Sequence, residues 1–124
     1  LDLEGPVLVF ELDLGLLAAL PARARYRPIA RFPTSSRDVS LLVGDELTAG
    51  RVLEEMTAAK EPLLERAVVF DEYRGPGLPA GRRALAFRLT YRAEDRTLTD
   101  DEVSEAHRRV LDRVVTALGV EPRA

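Results

Sequence analysis

Hydrophobic and polar positions alternate along four stretches of the chain and recur at helical spacing along two others. The clearest alternation runs from Arg82 to Arg92, where Leu85, Phe87, Leu89 and Tyr91 interleave with Ala84, Ala86, Arg88 and Thr90. Period two sends successive side chains to opposite faces, so this stretch predicts a strand with one apolar face. Asp38–Val43 repeats the pattern, with Val39, Leu41 and Val43 set against Asp38, Ser40 and Leu42. Leu63–Tyr73 predicts a further strand, with Val68 and Phe70 on one face and Val69, Asp71 and Tyr73 on the other. Between the last two, Thr48 is placed to cap a helix in which Val52, Leu53 and Met56 share a face to about Lys60, before Pro62 stops it. Thr99-Asp100-Asp101-Glu102 has the form of a capping box, with acids where the helix dipole favours them. Val103, Ala106, Val110, Leu111, Val114 and Leu118 mark the apolar face of the helix it opens, and Gly119 supplies its C-terminal cap. Val120–Ala124 predicts a short edge strand.

The predicted order is strand-helix-strand-strand-helix-strand. A split βαβ pair of this kind is an α+β, ferredoxin-like fold: a four-stranded antiparallel sheet with two helices on one face. Arg74–Gly81, rich in Gly and Pro, predicts the hairpin loop between the middle strands. The module spans residues 37–124, and residues 23–36, with Pro28, Pro33 and Thr34-Ser35-Ser36, predict a linker. Ahead of it, Val7–Leu14 alternates and predicts a strand, Leu16–Leu20 a helical turn, and Pro21 a stop. We expect residues 1–22 to be the remnant of a preceding domain. The chain opens on Leu1 rather than Met, which fits a piece of a longer protein.

Composition narrows the function classes. The 124 residues are 46% hydrophobic and 31% charged, as in an ordinary globular domain. No apolar run approaches the length of a membrane span. The absence of Cys excludes disulfides and thiolate metal sites, and fits a reducing cytoplasm. His107 is the sole histidine, reads as a surface residue beside the apolar helix face, and no nucleophile–base pair is visible. The net charge of −3 is unevenly spread: the first 22 residues carry acids only, and the middle of the chain is mildly basic. Such a balance permits local phosphate contacts without making a strong non-specific nucleic-acid binder. Arg is used almost to the exclusion of Lys, a bias that GC-rich coding and selection for phosphate contacts both produce.

With both helices on one side, the other face of the sheet is open, and function is to be sought there. The alternation assigns to it Ser40, Asp71, Tyr73, Ala84, Ala86, Arg88 and Thr90. Tyr73 offers a flat ring for a base to stack on. Asp71 is an acceptor suited to the N–H edge of guanine, and Ala84 and Ala86 leave a low floor. Arg37, Arg74, Arg82 and Arg83 fall near strand ends, where a phosphate backbone would run. Each residue also has a plainer reading: an exposed Tyr is a good strand former, an Asp among arginines is a surface ion pair, and arginine clusters are solvated surfaces.

Two separated motifs change that balance. RFPTSSRDVSLLV at Arg31–Val43 and FDEYRGPGLPAGRRALAFRLTYRAEDRTLTDDEV at Phe70–Val103 resemble the C-terminal anticodon-binding module of bacterial phenylalanyl-tRNA synthetase beta subunits. The resemblance covers roughly residues 23–124 and implies a ferredoxin-like fold whose open sheet holds the anticodon loop of tRNA-Phe. By the same resemblance, Tyr73 stacks on an anticodon base, Asp71 and Ser40 contact the first anticodon nucleotide, and Arg37-Asp38 matches the family's RD motif. Ala84 stands where the family often has Ser. The implied parent is a cytoplasmic alpha-two beta-two enzyme that joins phenylalanine to tRNA with ATP and magnesium on the other subunit; this stretch itself has no cofactor. The N-terminal 22 residues resemble the end of the preceding catalytic-like domain. Rival activities of the same fold fit less well. An RNA-recognition motif needs aromatics where Ser40, Ala84 and Ala86 stand, and acylphosphatases rely on an Asn this chain lacks. A non-catalytic protein-interaction or ligand-sensing module remains as the alternative.

Overall fold

The computed structural model describes residues 4–22, 24–26 and 28–123. In chain order the elements are α1 (Leu14–Ala19), β1 (Ser35–Gly44), α2 (Ala49–Ala58), β2 (Leu64–Tyr73), β3 (Arg82–Tyr91), α3 (Asp100–Leu118) and β4 (Glu121–Arg123). The strands form one antiparallel sheet in the order β2-β3-β1-β4. From β1 onward this is the expected βαββαβ arrangement. β4 is short and carries Pro122, which lacks a donor and suits a sheet edge.

One face of the sheet is packed. Leu41 and Val43 of β1 join Leu85, Phe87, Leu89 and Tyr91 of β3, against Val52 and Met56 of α2 and Val103, Ala106, Val110 and Val114 of α3. Truncating a ring this well enclosed, such as Phe87, costs about 3–5 kcal/mol. Both helices begin as expected. The Thr48 hydroxyl accepts from Arg51 N–H, and Thr99 and Glu102 make a reciprocal capping box. The Thr99 backbone N–H, followed by Arg96, holds the Glu102 carboxyl below its usual range. Gly119 closes α3 at φ 62°, a left-handed conformation that glycine adopts freely.

Buried charge joins the helices to each other. Glu55 is buried on α2 and meets Arg113 of α3 at 2.9 Å and Arg51 at 3.2 Å. Glu61, just past α2, accepts from Arg109 at 2.9 Å, which holds its carboxyl low. His107 is not the surface residue expected. It is half-buried on α3, with Nδ1 2.9 Å from the Tyr91 hydroxyl. Burial, and then the Arg37 charge, lowers its pKa, while burial and then Glu61 raise that of Tyr91.

Other expectations are corrected as well. Ser35 and Ser36, assigned to the linker, belong to β1 and pair with Tyr91 and Thr90. Val7–Leu14 is not a strand: residues 6–13 have no regular structure and Leu14 opens α1. Alternation alone cannot make a strand without a neighbour to take its hydrogen bonds, and no described strand lies against it. The segment's apolar side chains are instead laid bare, with Leu8 98% exposed.

Candidate nucleic-acid interface

The uncovered face of the sheet is built from the alternate positions of β1 and β3, from β2 on both sides of a bulge, and from Arg123 of β4. Ser40 pairs with Ala86 and with Arg123, and Ala86 pairs with Asp71. These four residues therefore lie in one row across all four strands. Ala86 and Ser40 form a low floor between the Asp71 carboxylate and the Arg123 guanidinium. At about 4.8 Å per strand, the row is about 14 Å across, enough to seat a base. One Asp71 oxygen accepts from the Glu72 N–H at 2.9 Å, which fixes the carboxylate's orientation.

The neighbouring row is Tyr73, Ala84 and Leu42. The Tyr73 hydroxyl donates to the Pro76 carbonyl at 3.0 Å, which holds the ring against the hairpin loop. Arg123 reaches over from β4 and sets its guanidinium 5.6 Å from the ring centroid. Ala84, expected as part of the floor, is only 3% exposed. Its larger row neighbours Leu42 and Tyr73 flank it, so the accessible floor narrows to Ala86 and Ser40.

A bulge rearranges β2. Val69 pairs with Phe87 and Asp71 with Ala86, so Phe70 has no partner in the ladder. Val69 thereby falls on the helix side, and Phe70 comes to the open face beside Asp71, the reverse of the expected assignment. Arg88 stacks on the Phe70 ring at 5.2 Å and is gripped by both oxygens of Asp38, each at 2.7 Å. That ion pair lowers the Asp38 pKa and raises that of Arg88.

The expected basic rim divides. Arg83 shares the inward parity of Leu85 and Phe87 and is 7% exposed. It donates to the carbonyls of Gly44, Asp45 and Leu47 at 3.3, 2.9 and 2.7 Å, and so ties the β1–α2 loop down. Arg37 also points to the helix side, where it pairs with Asp100 at the start of α3. Neither presents its charge on the open face. Arg74 and Arg82 are at the surface but already paired, Arg74 with Glu72 and Asp45 at 2.6 and 2.8 Å, and Arg82 with Glu121 at 3.1 Å. Arg66 and Arg123 have no carboxylate partner among the described residues. Phe70 and Arg123 join this face without a place on it in the alternation pattern. The unbroken apolar run Val68-Val69-Phe70 was the available sign of a register fault, and pairing the last strand with β1 would have brought Arg123 to Ser40.

This face has stacking rings, hydrogen-bond acceptors and few free charges, the equipment for reading unpaired bases rather than for gripping a duplex. Among the described residues no cluster of His, Asp or Glu is gathered to hold a metal. The profile of the ferredoxin-fold anticodon binding domain matches residues 30–123. The chain belongs to this family. Its match begins before β1 and ends in β4, so it takes in the whole sheet and both packed helices. Among curated relatives, the chain is 48% identical over 118 residues to the phenylalanine–tRNA ligase beta subunit of Anaeromyxobacter dehalogenans, covering 94% of this chain and 14% of that protein. It is 45% identical over 124 residues to that of Symbiobacterium thermophilum, covering 99% and 14%. It is 50% identical over 107 residues to that of Leifsonia xyli subsp. xyli, covering 86% and 13%. This anticodon-binding domain thus spans about one seventh of the length of those relatives.

Proposed function

We propose that this domain is the anticodon-reading end of a phenylalanine–tRNA ligase beta subunit, and that its open sheet face holds the anticodon loop of tRNA-Phe. The observation that carries the reading is the row Asp71, Ala86, Ser40 and Arg123, flanked by the Tyr73 ring. A first anticodon guanine would lie over Ala86 and Ser40. Asp71 would accept from its N–H edge, and the Ser40 hydroxyl would be in reach. Tyr73 and Arg123 would close on the flat of a base, which requires the present Arg123–Tyr73 contact to open or to admit the base between them. Arg74, Arg82 and Arg88 would meet phosphate only as far as their carboxylate partners release them, whereas Arg66 would meet it directly.

The domain would contribute binding and discrimination, and no bond-making. ATP, magnesium and the phenylalanine-activating chemistry would belong to the alpha subunit of an alpha-two beta-two cytoplasmic enzyme. No helix among the described residues is long and apolar enough to cross a membrane. Residues 1–22 would be the end of the preceding catalytic-like domain, with the bared side chains of Val7–Leu20 buried against the rest of that domain. The test is a fluorescence titration with a tRNA-Phe anticodon stem-loop bearing GAA, beside a loop with a changed anticodon. Preferential binding of GAA is expected. Equal binding of the two loops would overturn base reading. No binding, with a dimer on gel filtration that buries the sheet, would favour a protein-interaction module.

A further inference from the structure

The cluster of Phe70, Arg88 and Asp38 is not needed for the core, and the row that seats the first base does not use it. Phe70 is displaced to the open face by the β2 bulge and is 53% exposed there. Phe70 is absent from the apolar side chains packed around the helices. Its ring instead carries a guanidinium locked in plane by a two-point carboxylate grip. A planar cation fixed on an aromatic ring by an opposing carboxylate is pre-organised, so little rotamer freedom is lost when a third flat group is added.

We propose that Phe70 and Arg88, held by Asp38, form a second base-stacking place that takes the unpaired base next to the one received by Tyr73 and Asp71. This rests on the anticodon-loop reading above. The spacing supports it. Phe70 and Tyr73 are three residues apart on one strand, which at about 3.3 Å per residue is about 10 Å. Bases stacked in a helix are about 3.4 Å apart. Two bases seated on these rings must therefore be splayed away from each other, the state in which single-stranded loops are read. The small side chain of Ala86 separates the two places without an obstruction.

The experiment uses the anticodon stem-loop with 2-aminopurine in place of one or the other anticodon adenine, whose fluorescence falls when it stacks. Wild-type protein is expected to quench the probe at one of these positions. Phe70→Leu keeps the apolar contact with Arg88 and removes the aromatic face. It is expected to restore that fluorescence and weaken binding about 5- to 150-fold. Arg88→Lys keeps the charge but loses the planar fork, and is expected to act in the same direction; it carries the test should Phe70→Leu melt early. Unchanged quenching and affinity in both variants, with Tyr73→Ala still impaired, would overturn the second stacking place and leave the anticodon reading intact. Weaker binding without a position-specific return of fluorescence would also overturn it, since a purely structural role predicts that. Failure of the wild-type protein to prefer the GAA loop would overturn both.

Discussion

Replacing Arg83 with methionine should unfold this domain well before it affects RNA binding. The guanidinium is buried and donates to three carbonyls, Gly44, Asp45 and Leu47, that lie where β1 turns toward α2. Two of these bonds are short, and a hydrogen bond to a charged group contributes about 1.5–3 kcal/mol. Methionine keeps most of the packed stem and supplies no donor, so the carbonyls are left without their partner. The expected loss is about 3–5 kcal/mol, a large share of the about 5–15 kcal/mol that holds a typical domain folded. At about 4–8 °C per kcal/mol for a domain near this size, the melting temperature should fall by more than about 10 °C. The control is Arg82→Met. Arg82 lies next in sequence but faces solvent with an exposed partner, Glu121, and its loss should stay below about 1 kcal/mol. Urea unfolding followed by circular dichroism measures both. At a temperature where Arg83→Met is folded, its affinity for the anticodon stem-loop should match wild type. Unchanged stability with weakened RNA binding would refute the assignment of Arg83 to the fold and return it to the basic rim.

Three further outcomes are expected. Tyr73→Ala should weaken stem-loop binding by about 1–3 kcal/mol with little change in melting, and an unchanged affinity would remove the stacking role. Because the arginines on the sheet strands are largely paired, and of them Arg66 and Arg123 lack a carboxylate partner among the described residues, the salt dependence should be shallow. Two phosphate contacts at about −0.7 each give a log–log slope near about −1.4, whereas a slope beyond about −3 would mean that the paired arginines change partners on binding. His107 should make the fold acid-sensitive. Its folded pKa lies below its ordinary value through burial and the facing Arg37, so the unfolded chain takes up the proton first as pH falls. Stability should therefore decline as pH drops below about 6.5, with Glu61 and Glu102, both held low, titrating further down. His107→Gln should flatten the change in urea midpoint between pH 7.5 and 5.5, and an unaltered slope would contradict this.

The strands and helices from Ser35 onward were legible because burial is one-sided and the period follows from it. Leu85, Phe87, Leu89 and Tyr91 face a helix layer and cannot be polar, and Thr48 and Thr99 satisfy orphan helix donors that little else would. Parity also held the fate of Arg37 and Arg83. Both stand in phase with the apolar positions of their strands, and an arginine in that phase must find its partners on the helix side of the sheet. Which partners those are depends on loops and a helix start distant in sequence. Phe70 was misplaced because a single extra residue in β2 exchanges the faces of what precedes it, and alternation over so short a run does not reveal where the extra residue sits. Arg123 was missed because three residues carry no period of their own; the edge they join gives them their place. The reading of Val7–Leu14 as a strand failed for the converse reason, since its alternation was real but a strand exists only with a partner.

The proposed function requires that the helix-free face, and no other, meet the anticodon loop. The most direct measurement is a heteronuclear NMR titration of the 15N-labelled chain with the unlabelled GAA stem-loop. Amide shifts should concentrate at Ser40, Asp71, Tyr73 and Ala86, spare His107, Arg109 and Arg113 on α3, and shrink when the anticodon is changed. Shifts gathered on α2 and α3, or shifts on the sheet that are indifferent to the anticodon, would contradict it.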